Sequence, residues 1–215
     1  MAKRQSPTKI NKEISMRCGS GRIEGRVDLL AVLALVGFAV LRVPVVSAQM
    51  AGTPKVALDL RGGFNVPTFT IADIAKAGPS VGVGLNFNLA ERVWLIGDAD
   101  FGFHSGGDLP GGGEGPDLKV NHYMLKIGYQ VLDRADSRLA LMLNAGAGVM
   151  TFAADGGRAF TYPGINVGAK LTYRLGNRVS LLLSPQGDIA FTKKAEVGTT
   201  NAWVWPFSAG LRVMF

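Results

Sequence analysis

The carboxyl-terminal segment alternates regularly between apolar residues and smaller or polar ones. The apolar set is Trp203, Trp205, Phe207, Ala209, Leu211, Val213 and Phe215, at every second position. Because successive side chains of a β-strand point to opposite faces, this pattern predicts a strand with one apolar, aromatic-rich face. Such a face needs a partner, which is either a second sheet or lipid.

The same period of two recurs along the chain and predicts eight strands. The first seven are expected at about residues 55–66, 79–88, 93–104, 119–131, 138–152, 164–175 and 178–192, and the terminal segment is the eighth. The seventh is less regular because it contains Pro185, and because Leu182 breaks the alternation. Residues 71–77 are interpreted as a loop with one helical turn. The predicted fold class is all-β, an eight-stranded antiparallel up-and-down transmembrane β-barrel.

The predicted connections alternate in length. Short turns are expected at residues 89–92, 133–137 and 176–177, and longer polar or Gly-rich connections at 67–78, 105–118, 153–163 and 193–200. In outer-membrane barrels the short turns face the periplasm and the long loops face the exterior. Four loops would therefore emerge at one end of the barrel.

Residues 1–48 have the features of an export signal. They hold eight Lys and Arg against three Asp and Glu, so most of the net charge of +7 lies here, and a nucleic-acid partner is not expected. Residues 29–41 are apolar but short for a spanning helix, and Val46, Ser47 and Ala48 suit signal peptidase. Cleavage after Ala48 would leave residues 49–215 as the barrel. An uncleaved anchor and a start at Met16 are alternatives. The single cysteine lies in this segment, so the mature chain has no disulfide.

A period of two does not reveal which face is inside. A soluble lipocalin-like barrel would turn its apolar face inward and show a polar face rich in Lys, Glu and Thr. Here the polar face is rich in Gly, Asn and Ser, which suits the crowded interior of a narrow barrel. We therefore expect the apolar side chains to face lipid, where a closed barrel satisfies every backbone polar group.

The terminal pattern Phe207-x-Ala209-x-Leu211-x-Val213-x-Phe215 is similar to the β-signal that barrel-assembly machinery reads. Residues 55–215 as a whole resemble the small OmpA/OmpX-like outer membrane protein β-barrel family of Gram-negative bacteria. The resemblance implies export through the periplasm to the bacterial outer membrane. It also implies contact with outer-membrane lipid and lipopolysaccharide, and insertion by the barrel-assembly machinery. We expect a monomer.

The charged residues on the polar face are expected to lie in the lumen. They are Asp59, Arg61, Asp98, Asp100, Lys126, Lys170, Arg174, Asp188 and Arg212. Charges removed from water persist when they are paired, so this nearly balanced set predicts an interlocked network that plugs the barrel. The alternative is a narrow ion path, because charges near the ends could be hydrated.

The aromatic residues are expected to form two interfacial girdles. Phe101, Phe103, Tyr123, Trp203, Trp205 and Phe207 would lie toward the long-loop rim, and Tyr129, Tyr173 and Phe215 toward the other. The alternative for these residues is core packing in a soluble sandwich. The alternation places Trp94 on the inner face, so it belongs to neither of the predicted girdles.

No catalytic site, metal site or cofactor is predicted. His104 and His122 are expected at a hydrated strand end, and residues 111–115 form a flexible Gly-rich loop rather than a phosphate loop. Asp108, Glu114 and Asp117 could attract a cation, although acidic loops are also simply solvated. The predicted role is structural or interactive, with four loops displayed to an unidentified external ligand. A narrow porin-like channel is the second hypothesis, and a lipid A-modifying enzyme is the third.

Overall fold

The alternating segments form eight strands. The computed structural model describes residues 56–108, 113–133 and 137–215, so the predicted signal peptide lies outside the described residues. The strands are β1 (Val56–Thr68), β2 (Gly78–Ala90), β3 (Val93–His104), β4 (Leu118–Asp133), β5 (Leu139–Ala154), β6 (Ala159–Arg174), β7 (Val179–Phe191) and β8 (Asn201–Met214).

Each strand pairs antiparallel with the next, and the last pairs with the first. The seam between β1 and β8 runs from Ala57 opposite Met214 to Thr68 opposite Trp203. The result is a closed barrel in sequence order. Closure removes the unpaired strand edges that an open sheet would expose. The prediction of an eight-stranded antiparallel up-and-down barrel is confirmed.

The two ends of the barrel differ in their connections. One end, the short-turn end, holds the described residues 91–92, 137–138 and 175–178, and the other, the long-loop end, holds the described residues 69–77, 105–108, 113–117, 155–158 and 192–200. The prediction of a long connection at 153–163 is wrong, because β5 and β6 extend to Ala154 and Ala159. In the extension Phe152 pairs with Phe160 and Ala153 with Ala159, and the ring centroids of Phe152 and Tyr162 lie 6.3 Å apart.

Two short helices lie in the connections of the long-loop end. A 3-10 helix (Phe69–Asp73) follows β1, two residues earlier than the predicted helical turn, and α1 (Lys194–Val197) lies between β7 and β8. Within the described ranges, no helix has the length and hydropathy needed to cross a bilayer.

The two faces of the barrel wall are chemically distinct. Large apolar side chains such as Leu60, Val81, Leu125 and Leu183 point outward and are exposed, whereas the buried polar and charged residues point into the lumen. This is the arrangement expected for a lipid-facing barrel and the reverse of a lipocalin-like one. Leu182, which broke the sequence pattern, is buried on the inner face between two outward leucines.

Gly63 is required by the close approach of β1 and β8. A methyl group there would overlap the backbone carbonyl oxygen of Phe207, whereas one at neighbouring Gly62 would lie 4.0 Å from the nearest atom, the backbone oxygen of Ser80. We expect Gly63→Ala to lower the free energy of unfolding by about 1–3 kcal/mol through strain. Gly62→Ala is the matched control, with an expected change of about 0.5 kcal/mol or less. Urea unfolding in vesicles would measure both, and equal effects would contradict the close contact.

Candidate functional site: the barrel interior

Lys170 lies at the centre of the polar interior. Its side chain is fully buried on β6, and its Nζ is 2.9 Å from Asp59 Oδ2 and 3.4 Å from Asp98 Oδ1. The same ammonium donates to Asn86 Oδ1 at 3.2 Å. Lys170 thereby joins β6 to β1, β2 and β3 across the lumen. A buried ammonium needs such acceptors, because it has lost its hydration.

Asp59 accepts hydrogen bonds from two cations at once. Arg212 binds it in a bidentate manner, with Nε 2.7 Å from Oδ1 and Nη2 2.9 Å from Oδ2, while Lys170 binds from the other side. Paired guanidinium and carboxylate groups of this geometry are among the strongest hydrogen-bonded pairs in proteins. Because Asp59 is on β1 and Arg212 is on β8, the pair crosses the seam of the barrel.

Asp98 forms a second centre of ion pairs. Lys126 Nζ is 2.7 Å from its Oδ2, and Arg61 Nη1 is 3.1 Å from its Oδ1. Lys126 also donates to Gln186 Oε1 at 3.1 Å. Together with Lys170, these contacts connect Asp98 on β3 to β1, β4 and β6, and through Gln186 to β7.

The remaining two carboxylates lie nearer the long-loop end. His122 Nδ1 is 2.6 Å from Asp188 Oδ2, and Asn166 donates to the other oxygen of Asp188 at 2.6 Å. Asp100 accepts a hydrogen bond from Asn65 at 3.1 Å. The barrel therefore places eight of the nine predicted luminal charges in the buried interior, and their formal charges balance.

Arg174 is the exception among the nine. It lies at the end of β6, is exposed, and lines a cavity at the short-turn end. The amides Asn65, Asn86, Asn166 and Gln186 belong to the polar interior but were not selected as site residues, because only charged residues were selected from the sequence. Their inward positions in the alternation were the available signal.

The expectation that both histidines are hydrated is wrong. His104 and His122 are buried, and His104 Nδ1 lies 2.9 Å from the backbone oxygen of Lys76. The physical reason is that the connection after β1 folds over the end of the lumen. His122 and Asp188 resemble part of a catalytic arrangement, but their burial denies a substrate access to them.

Apolar side chains fill the lumen at the long-loop end. Ile71 from the 3-10 helix and Ala75 pack against the inward residues of β4, β5 and β8. The cluster also contains Leu118, Val120, Met124, Met150, Phe152, Tyr162, Ala190, Ala202 and Val204. Tyr162 donates a hydrogen bond to Glu196 on α1, which fastens the last loop over the cluster. We call this set the apolar plug.

The other end of the lumen is narrowed by a smaller cluster around Trp94. This ring packs with Ala57, Ile96 and Met142, and its Nε1 donates to Gln130 Oε1 at 3.2 Å. The inward position of Trp94, unexplained by the girdles, follows from this packing. Beyond the cluster, toward the short turns, lies an open cavity of about 360 Å³.

Two acidic residues of the long-loop end share one lysine as their ion-pair partner. Lys76 Nζ is 3.0 Å from Asp108 and 3.2 Å from Glu114, and the hydrogen bonds to Asp108 and then Glu114 raise the pKa of Lys76. Across the described part of the chain, no group of three or more His, Cys, Asp or Glu side chains has a geometry suited to a metal ion.

The predicted girdle residues lie on the outer surface in two groups. Near the long-loop end, the rings of Phe101 and Tyr123 meet edge to face at 6.0 Å, and Trp203 meets Phe69 at 5.6 Å. Trp205 Nε1 donates to Thr68 Oγ1 at 3.1 Å, and Phe103 is exposed.

Tyr129 and Tyr173 are exposed near the short-turn end. In the predicted β-signal, Phe207, Leu211 and Phe215 are exposed on the outer face, and the strand that carries the signal pairs with both β7 and β1. Ala209 and Val213 share the alternation of that outer face.

Solved structures share this fold, although no protein-family model matches the chain and no curated protein matches its sequence. The crystal structure of Neisserial surface protein A (NspA) aligns with 16% identity and a TM-score of 0.60, covering 74% of this chain and 97% of that one. The outer membrane protein OprG from Pseudomonas aeruginosa aligns with 14% identity and a TM-score of 0.52, covering 76% of this chain and 98% of that one. At these identities the likeness concerns the fold.

Proposed function

We propose that this chain is an outer-membrane barrel with a structural or surface-interaction role and a lumen closed to solutes. The filled interior is the observation that supports this proposal. The apolar plug occupies one end, and the ion pairs around Asp59 and Asp98 cross the middle. An eight-stranded barrel has an interior just wide enough for its own side chains.

The exterior supports a location in a bilayer. Apolar side chains cover the outer wall, and aromatic residues lie toward both rims, as in barrels that cross the outer membrane. NspA and OprG, which share the fold, are named as a surface protein and an outer membrane protein. In this proposal the chain is a monomer in contact with outer-membrane lipid and lipopolysaccharide, and β8 carries the signal for the barrel-assembly machinery.

The connections of the long-loop end are the proposed interaction surface. Three of them have nine or more residues, while the connection at 155–158 is a short turn that ends the extended β5 and β6. The role is therefore proposed as envelope stability and display of these loops.

Conductance in planar lipid bilayers tests the closed lumen. We expect the protein, purified from membranes in non-ionic detergent, to give no discrete conductance steps, because the plug and the ion pairs leave no continuous water path. A wide porin inserted into the same bilayers is the positive control.

An absence of conductance steps is informative only when the same preparation contains a closed barrel. Heat-modifiable migration of the outer-membrane fraction on a gel would show one, since closed barrels resist unfolding in detergent until they are boiled. Stable conductance steps from heat-modifiable protein would overturn the closed lumen and favour the narrow porin-like channel. Absence of the protein from the outer-membrane fraction would overturn the proposed location.

A further inference from the structure

One side of the outer wall is polar where it approaches the long-loop end. The side chains concerned are Lys119 and Asn121 of β4, Thr151 of β5 and Thr161 of β6, which we call the polar flank. All four alternate with buried inward residues, so they point away from the lumen. Asn121 pairs with Thr151 and Thr151 pairs with Thr161, so these three form one row across three strands.

The polar flank lies directly beside an apolar part of the wall. The next outward row toward the middle of the barrel contains Tyr123 opposite Val149. The next outward row toward the long loops places Lys119 between Phe103 of β3 and Ala153 of β5. Because Phe103 is one of the girdle residues near this end, its neighbour Lys119 stands at the level of the lipid headgroups.

The polar flank belongs to one side of the barrel. On the other side, Ile189, Phe191 and Trp203 keep the outer face of β7 and β8 apolar near the same end. A wall that simply passed from lipid into water at this level would be polar on both sides. The difference between the two sides favours contact of the polar flank with a particular chemical group.

The polar flank offers several hydrogen-bonding groups to a ligand. The Thr151 and Thr161 hydroxyl oxygens lie 2.9 Å apart, so one hydroxyl donates to the other. The hydrogen of the accepting hydroxyl then remains available to a ligand. Asn121, in the same row, adds an amide that both donates and accepts. These three side chains suit the hydroxyl and amide groups of an acylated sugar.

The charge of the polar flank comes from Lys119. Its side chain is exposed and takes part in no ion pair among the described residues. Asp117 and Asp155 lie two residues further from the bilayer, where the backbone N–H of Asp155 donates to the backbone oxygen of Asp117 at 2.8 Å. Residues 109–112, which are not described, carry no charge in the sequence. The ammonium is therefore the charge of this side that lies nearest the bilayer, where the anionic group of a lipid is its phosphate.

We propose that the polar flank binds the phosphorylated sugar of lipid A, the membrane anchor of lipopolysaccharide. A phosphate contacts Lys119, and the sugar hydroxyl and acyl-amide groups contact Asn121, Thr151 and Thr161. The acyl chains lie along the apolar row beside them. This inference rests on the proposed outer-membrane location, and it adds which lipid group is recognised and which side of the barrel recognises it.

Lipid binding to the protein, purified from membranes in non-ionic detergent, tests the site. Native mass spectrometry counts the bound lipid while three probes are titrated: lipid A with both phosphates, the same lipid A after removal of both phosphates, and phosphatidylglycerol. We expect phosphorylated lipid A to bind about tenfold more tightly than the dephosphorylated form, because a contact with a charged phosphate is lost. Equal binding of these two forms would overturn the proposal. Equally tight binding of phosphatidylglycerol would overturn the assignment to lipid A.

A lysine variant locates the phosphate contact. Lys119→Gln is expected to weaken binding of phosphorylated lipid A about fivefold or more and to leave binding of the dephosphorylated form unchanged. Lys194→Gln removes the same charge from an exposed position on α1 at the same end and is expected to change neither affinity. Equal affinities of the two variants for phosphorylated lipid A would overturn the role of Lys119.

The fate of the site and the fate of the proposed location can be told apart. Both variants must migrate as heat-modifiable protein in the outer-membrane fraction, which reports the location without reference to lipid A. Such protein, if its lipid binding showed no dependence on phosphate, would refute the site and leave the location intact.

Discussion

Replacing Asp59 by alanine is expected to lower the free energy of unfolding by about 3–5 kcal/mol, because two buried cations lose their shared partner. Arg212 and Lys170 both contact this carboxylate at 2.7–2.9 Å, and both are buried, Lys170 completely and Arg212 with 6% of its surface exposed. Reversible urea unfolding of the barrel in phospholipid vesicles, followed by tryptophan fluorescence, measures the loss.

Asp108→Ala is the matched control for Asp59→Ala. It removes the same side chain from an exposed ion pair with Lys76 at 3.0 Å. Exposed pairs contribute about 0–1 kcal/mol, because water already solvates both charges. If the two variants lost equal stability, the buried ion pairs of Asp59 would contribute no more to the free energy of unfolding than an exposed pair does.

Leu125→Arg is expected to destabilise the barrel in a bilayer by about 2–4 kcal/mol, since it places a cation on the lipid face near the middle of the wall. Leu125 is 61% exposed and is paired mid-strand with Gly97 and Ala147. The measurement is again urea unfolding in vesicles.

The control for Leu125→Arg uses a leucine of equal exposure at a different depth. Leu89 is 59% exposed, but it lies beside the short turn at 91–92. Near the interface an arginine reaches the headgroups, so we expect Leu89→Arg to cost about 0–1 kcal/mol. A barrel that faced water instead of lipid would tolerate both substitutions to the same degree, and that outcome would refute the proposed membrane location.

The strands and their two faces could be predicted from the sequence because a closed narrow barrel enforces one rule along its whole length. Each side chain, such as that of Asp98 or Phe101, points either into the lumen or away from it. The alternation of polar and apolar residues, with a period of two, shows which direction each side chain takes. The alternation was harder to recognise at the two ends of the lumen, where the inward residues are apolar as well. Val120, Met124 and Leu182 are inward but apolar, because the ends of this lumen are filled with hydrophobic side chains.

The limits of the third long connection were predicted wrongly, because its Gly-rich and polar residues were interpreted as a loop although β5 and β6 continue to Ala154 and Ala159. Pro163 in fact lies inside β6, opposite Val149 of β5. Pairing of β6 with β7 begins only at Gly164, so a residue without a backbone N–H is tolerated at this position.

The individual ion pairs were also beyond sequence reasoning. Asp59 is 111 residues from Lys170 and 153 residues from Arg212. Such partners meet only through the registers of several strand pairs, and a single shift of register would turn one member of each pair to the outer face. The composition of the polar face predicted a balance of charge, and the barrel register determines which acid meets which base.

The bidentate contact of Asp59 with Arg212 has a consequence for the order of assembly. Until the final hairpin docks on the first strand, Arg212 is held apart from Asp59, and Asp59 can keep its contact with Lys170. Pairing of β8 with β1 and pairing of Arg212 with Asp59 therefore occur in the same step. Closure of the seam gains a buried charge-assisted contact as well as backbone hydrogen bonds, so both contributions favour the closed barrel over one that is open at this seam.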